Sequence, residues 1–150
     1  MATYHVEMRA YRLVGLAGLV FCFFSALAAT IFGQYWTALG FAGFAIIGLY
    51  IVLGSGSFDF DSDCITHSSW FGKWKIRWDE IDLAEFGEMD GTLVLIGNNK
   101  RFVLSPPGWW YGSGKDEALR FVMSQIEAKK LKPQPSRTAA YKTMKNTRVQ

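Results

Sequence analysis

The sequence predicts an α+β membrane protein: an N-terminal transmembrane helical hairpin, then a curved antiparallel sheet of six or seven strands closed by one C-terminal helix. Three observations carry this expectation. From Leu13 through Phe58 there is no Asp, Glu, Lys, Arg or His, although a soluble surface needs charged groups every few residues. After Leu53 the apolar period changes to two, the period of a half-buried strand. Over Leu119, Val122, Met123 and Ile126 it becomes helical again. A chain of 150 residues with a formal charge of +3 leaves room beyond the spans for one small core and not two. That charge is too small to suggest a nucleic-acid partner. The two cysteines, Cys22 and Cys64, lie in dissimilar surroundings and form no disulfide or zinc framework.

The uncharged stretch holds two apolar runs, residues 13–32 and 36–53. Each approaches the roughly 20 residues with which an α-helix crosses a bilayer. Only Gly33-Gln34-Tyr35 separates them, enough for a tight reversal. Tyr11 and Tyr50 at one end, and Tyr35 and Trp36 at the other, suit the membrane interface. Arg9 and Arg12 precede the first run, every other Lys and Arg follows the second, and the turn has none. The positive-inside rule then puts both termini, and the segment 1–12, in the cytoplasm. A competing reading makes Arg9 and Arg12 an n-region, Leu13–Phe24 an h-region and Ala26-Leu27-Ala28 a signal-peptide cleavage site; it leaves a lone second span. Small residues recur at helical spacing: Gly18, Cys22, Ala26 and Ala29 on the first run, Ala38, Ala42 and Ala45 on the second. Such stripes let helix backbones approach closely, either within the hairpin or against a partner helix. Proton relays, ion paths and haem ligation need ionisable side chains within the bilayer, which these runs do not supply.

The domain expected over 54–132 begins with Phe58-Asp59-Phe60-Asp61, alternating apolar and acidic. Ile65–Phe71 reads as a second strand and Lys73–Trp78 as a third, with Lys73, Lys75 and Arg77 on one face and Trp74, Ile76 and Trp78 on the other. Asp79–Phe86 reads as a fourth strand. Thr92–Ile96 and Arg101–Leu104 flank Gly97-Asn98-Asn99, residues that tolerate the positive φ of a hairpin turn. Trp109-Trp110-Tyr111 begins a seventh strand or sits in a loop. Ser113 and Asp116 have capping-box spacing before the last helix. Asp116 and Glu117 suit its N-terminal end, and Lys129, Lys130 and Lys132 its C-terminal end. Pro133 and Pro135 stop it. The segment 133–150, basic and nearly without apolar residues, is expected to be disordered.

The stretch Ile65-Thr-His-Ser-Ser-Trp-Phe-Gly-Lys-Trp-Lys-Ile-Arg-Trp-Asp-Glu-Ile81 resembles the bacterial pleckstrin-homology-like domains found beside membrane hairpins. In these, a strand of the form I-T-x-x-x-x-x-G precedes one ending in W-x-E-I. The Thr92–Leu104 hairpin and the terminal helix also fall where that family places them, so the resemblance spans about residues 57–130. It implies a partly open seven-stranded antiparallel β-barrel capped by the helix, and no reaction. In eukaryotic pleckstrin-homology domains, headgroup recognition uses basic residues around the first hairpin; Asp59, Asp61 and Asp63 stand there in this chain.

The motifs that could carry chemistry are weak. Asp59, Asp61 and Asp63 match the start of a calcium loop, but its sixth and twelfth positions are Cys64 and Trp70 rather than glycine and an acid. Cys64 and His67 form a single C-x-x-H where zinc needs three or four donors. On one strand they point to opposite faces, which argues against a nucleophile pair. No catalytic residue, metal ligand, cofactor or small-molecule substrate is expected. Three successive rings at Trp109, Trp110 and Tyr111 cannot all face inward, so one or more is a candidate interface anchor. The expected function is a non-enzymatic, membrane-anchored interaction module. It would be an accessory or assembly subunit of a larger respiratory or photosynthetic complex of the bacterial inner membrane, with a membrane-protein partner or a second copy. The alternative is an anionic-lipid surface module using Lys73, Lys75 and Arg77 together with Arg137, Lys142, Lys145 and Arg148.

Overall fold

A computed structural model describes residues 3–149. Strand β1 (Tyr4–Glu7) leads into helices α1 (Arg9–Ile31) and α2 (Tyr35–Gly54), both long and apolar enough to cross a membrane. Strands β2 (Ser57–Phe60), β3 (Cys64–Ser69) and β4 (Gly72–Arg77) follow. Next come β5 (Leu83–Gly87), β6 (Leu93–Gly97) and β7 (Lys100–Leu104), helix α3 (Lys115–Ala128), and the short strands β8 (Gln134–Ser136) and β9 (Arg148–Val149). The α+β class and the two apolar helices match expectation. Helix α1 starts four residues before its uncharged run, because Arg9 and Arg12 fit a helical turn that projects beyond the apolar stretch, and α2 starts one residue before its own.

The expected barrel is not closed. The strands form two sheets, ordered β1-β2-β3-β4-β9 and β7-β6-β5-β8. After β4 the chain turns through a 3₁₀ segment, Trp78–Glu80, so the predicted fourth strand begins only at Leu83. Trp78 leaves the ladder because its indole N–H donates to the Asp61 carbonyl (2.9 Å). On one side the gap is stitched by residues 145–149. Lys145 and Arg101 exchange main-chain hydrogen bonds (2.8 and 2.9 Å), while Lys75 N–H donates to Thr147 O (2.6 Å). On the other side α3 packs against β1, with Tyr4 and Phe121 rings 5.3 Å apart.

Two expected boundaries change accordingly. The segment 1–12 is not separate from the domain: β1 pairs antiparallel with β2, Tyr4 opposite Phe60 and Glu7 opposite Ser57. Val6 is fully buried with Phe58 and Phe60. The apolar helices are thus an insertion between two neighbouring strands. The segment 133–150 is not disordered over its described part. β8 runs parallel to β5, Ala139 is fully buried, and β9 extends the first sheet. Main-chain bonds to open sheet edges order this segment, not apolar content of its own.

One smaller expectation also changes, and one open alternative is decided. The N-cap of α3 is Gly114, without a side-chain cap bond, so the Ser113 capping box does not form. Trp109-Trp110-Tyr111 is not a strand; a 3₁₀ turn, Pro107–Trp109, precedes a single bridge between Tyr111 and Glu7.

Candidate functional site

The small residues of the two helices meet mostly inside the hairpin. Ala29, Ala38 and Ala45 are buried at the seam, and Cys22, Ala26 and Ala42 are half-buried. The closest approach uses two glycines the stripe did not include. A Cβ on Gly48 would lie 2.8 Å from the Leu19 backbone nitrogen, and one on Gly15 2.8 Å from Ile51 Cγ2. Gly18 is exposed on the other side, with nothing within 4 Å of where its Cβ would be. The outward faces of both helices carry large exposed apolar side chains, among them Phe21, Phe24, Phe44 and Ile46.

The three consecutive rings divide their roles. Trp110 is core, 5 % exposed, with its indole N–H donating to Ser105 O (3.0 Å). This removes it as an interface anchor: the 3₁₀ turn rotates it inward. Trp109 is partly exposed and meets Tyr11 of α1 edge-on at 5.6 Å. Tyr111 is exposed and lies under the Arg9 guanidinium, 4.7 Å from the ring centre. Outside the two apolar helices, the most exposed tryptophan is instead Trp70, 81 % exposed at the two-residue tip joining β3 to β4. That tip is docked onto the end of α2. Trp70 N–H donates to Leu53 O (3.3 Å), and Phe71 packs on Tyr50 with ring centres 5.2 Å apart. The expected second strand, Ile65–Phe71, instead ends at Ser69, so Trp70 and Phe71 form the tip rather than part of the strand, and nothing in the alternation shows that this tip reaches the helices.

The seven cations expected to act together differ in their partners. Lys73, Lys75 and Arg77 do point outward along β4, as alternation predicted, and Arg77 pairs with Asp79. Lys142 is held by Glu85, Arg137 lies 3.8 Å from Glu88, and Lys145 donates to the Asn99 side chain (3.2 Å). The Arg148 guanidinium donates to Phe71 O (2.9 Å) at the same tip. Of these four C-terminal cations, Lys142 and Arg137 meet carboxylates, while Lys145 and Arg148 are held by neutral acceptors.

Cys64 and His67 are not brought together. Cys64 Sγ lies 3.9 Å from the Asp61 carboxylate. The His67 ring is sandwiched between Phe58 (4.6 Å) and Trp74 (5.5 Å), and Nδ1 is 3.2 Å from Ser57 O. Burial drives the His67 pKa down to about 4, so the ring is neutral at physiological pH. Among the described residues no three His, Cys, Asp or Glu side chains form a group that could hold a metal ion. A cleft of about 840 Å³ opens where the two sheets part, at the end facing the helices. No family model, curated protein or solved structure matches this chain.

Proposed function

We propose that this chain is a two-pass, membrane-anchored interaction module. It acts by contact rather than by catalysis, as an accessory or assembly subunit of a larger bacterial inner-membrane complex, respiratory or photosynthetic. The carrying observation is the insertion of the apolar hairpin between β1 and β2. Main-chain bonds on both sides of it, including Met8 N–H to Gly56 O (3.0 Å), tie the sheets to both helix ends. The domain is held at the membrane surface in one orientation, as a docking element requires. The distribution of Lys and Arg supports a cytoplasmic domain with both termini on that side. Cleavage at Ala26-Leu27-Ala28 would remove β1 and half the hairpin, which disfavours the signal-peptide reading.

The outward helix faces offer the place for a partner. Gly40 and Gly43, three residues apart on α2, and Gly18 on α1 have nothing within 4 Å of a Cβ position. Unlike Gly48, they are free to admit another helix backbone. Purification of the full chain in mild detergent is expected to yield a stoichiometric membrane-protein partner. The Gly40→Leu/Gly43→Leu variant should lose that partner yet keep its fold. A wild-type chain that purifies as a lone monomer by native mass would overturn the reading.

A further inference from the structure

The interior between the sheets is filled unevenly. At the end remote from the helices, Phe60, Ile65, Ile76, Leu95 and Phe102 are completely buried and α3 closes the space with Val122. At the helix end the sheets separate, leaving the cleft of about 840 Å³. That is within the range of sites holding small amphiphiles. Phe58, His67 and Trp74 line it from the first sheet and Val103 from the second, while Tyr11 and Tyr50 stand at its mouth. These two tyrosines belong to the ends of α1 and α2, so the cleft opens where the apolar helices begin.

One polar group is aimed into these walls. His67 is only 6 % exposed. Its Nδ1 faces the Ser57 carbonyl, which can only accept, so Nδ1 carries the proton. With the ring neutral, Nε2 presents a bare lone pair, and it has no hydrogen-bond partner among the described residues. Thr147 Oγ1 is the one fully buried unpartnered side-chain polar atom among the described residues, so His67 Nε2 is open to the cleft, where a hydroxyl donor can reach it. The lining charges are already engaged: Lys142 by Glu85, and Asp90 by the Thr92 hydroxyl (2.6 Å) and main-chain N–H (3.1 Å). A phosphate headgroup would find no free counter-charge there, whereas an uncharged head would need none.

We propose that the cleft binds a neutral, hydroxyl-bearing lipid of the acylglycerol class. Its hydroxyl donates to His67 Nε2, and its chain leaves between Tyr11 and Tyr50 into the adjoining leaflet. This rests on the membrane-anchored reading, which puts the mouth at the leaflet surface.

The test uses the full chain in phosphatidylcholine vesicles with two monoacylglycerol probes, one carrying a diazirine beside the glycerol and the other at the chain end. After irradiation and peptide mass mapping, the head-proximal probe is expected to label the cleft wall at Phe58, Trp74 or Val103. The chain-end probe should label residues 13–53. Unlabelled monoacylglycerol should compete at least about fivefold better than its dimethyl ether, the worth of one neutral hydrogen bond. His67→Phe, which keeps an aromatic ring in the stack, should abolish that preference. Head-proximal labelling confined to the helices, or equal competition by alcohol and ether, overturns the lipid site while leaving the membrane anchor intact. Failure of both probes to label 13–53 overturns the anchor itself, and the lipid site with it.

Discussion

Glu7 and Ser57 stand opposite one another in the β1–β2 ladder, so the chain leaves the sheet for both apolar helices and returns to the position it left. The helices do not hang from a linker. Met8, the single residue between β1 and α1, is buried and donates its N–H to Gly56 O. Rotation of the sheets relative to the hairpin would break this bond and the adjoining ladder together. The N-terminal strand is therefore as much a part of the domain as any strand that follows the helices.

This makes Val6 a sensitive position. It is completely buried in the main core, and Val6→Ala removes two methyl groups there. The expected loss is about 2 kcal/mol, read as a lower thermal midpoint of the full chain in detergent. His5→Ala on the exposed face of the same strand should change little, since surface pairs such as His5–Asp59 contribute little. Equal effects of the two substitutions would show that the N-terminal strand does not pack as described.

The helix seam yields a second contrast. At Gly48 a new Cβ would meet backbone, 2.8 Å from Leu19 N and 3.0 Å from Leu19 Cα. Backbone cannot rotate away as a side chain can, so Gly48→Ala must push the helices apart. The expected cost is about 1–3 kcal/mol, the range for overpacking. Gly18→Ala meets nothing and should leave hairpin stability unchanged. Unfolding in graded detergent mixtures separates the two, and an unperturbed Gly48→Ala hairpin would contradict the close approach.

Acid should weaken the domain in two stages. His67 is neutral when folded, with its pKa lowered by burial from 6.5 to about 4. As pH falls below 6.5 the unfolded chain takes up a proton that the folded chain refuses. Stability is complete above that pH and drops by about 2 kcal/mol near pH 5. Glu80 and Glu85 have pKa values lowered chiefly by hydrogen bonds from Lys100 and Lys142. Their contribution is present above about 4.5, the ordinary glutamate value, and is lost only as pH falls further. Thermal midpoints of wild type and His67→Phe should therefore diverge between pH 6.5 and about 4 and run parallel below. Parallel curves throughout would mean that His67 is not held neutral.

Features with a local cause were legible in the sequence. The two apolar helices follow from the absence of charge over Leu13–Phe58. The β6–β7 hairpin follows from Asn98 and Asn99, which adopt φ of +48° and +58°, positions where asparagine is tolerated better than most residues. Features whose cause lies far along the chain were not. Tyr4–Glu7 is too short to reveal a strand, and its partner stands beyond the entire hairpin. The segment 145–149 is ordered by bonds to β4 and β7 that nothing in its composition encodes. Helical spacing found the small-residue seam but selected Gly18 and missed Gly15 and Gly48. The side on which two helices meet depends on the turn between them and on where the sheets hold their ends. His67 in turn showed only as half of a weak C-x-x-H; its seat in a cleft needed the second sheet.

Trp70 offers the most direct test of where the membrane surface lies. Its main-chain bond to Leu53 O sets the β3–β4 tip level with the last turn of α2, and its side chain is 81 % exposed. Neighbouring Phe71 already rests on Tyr50. On the membrane-anchored reading, an exposed indole at that height, beside Arg148 on the same tip, is expected in the headgroup layer of a bilayer, where its apolar ring and N–H are both accommodated. In vesicles of phosphatidylcholine brominated near the carbonyl end of the acyl chain, Trp70 fluorescence should be quenched and blue-shifted relative to detergent. The contribution is isolated as the difference between wild type and Trp70→Phe. Trp78, buried deep in the domain with its N–H bonded to Asp61 O, supplies the internal control, since Trp78→Phe should leave the quenched amplitude unchanged. Unquenched Trp70 emission at a water-exposed wavelength would place the tip clear of the lipid, and the fixed seating of the sheets against the bilayer would fail with it.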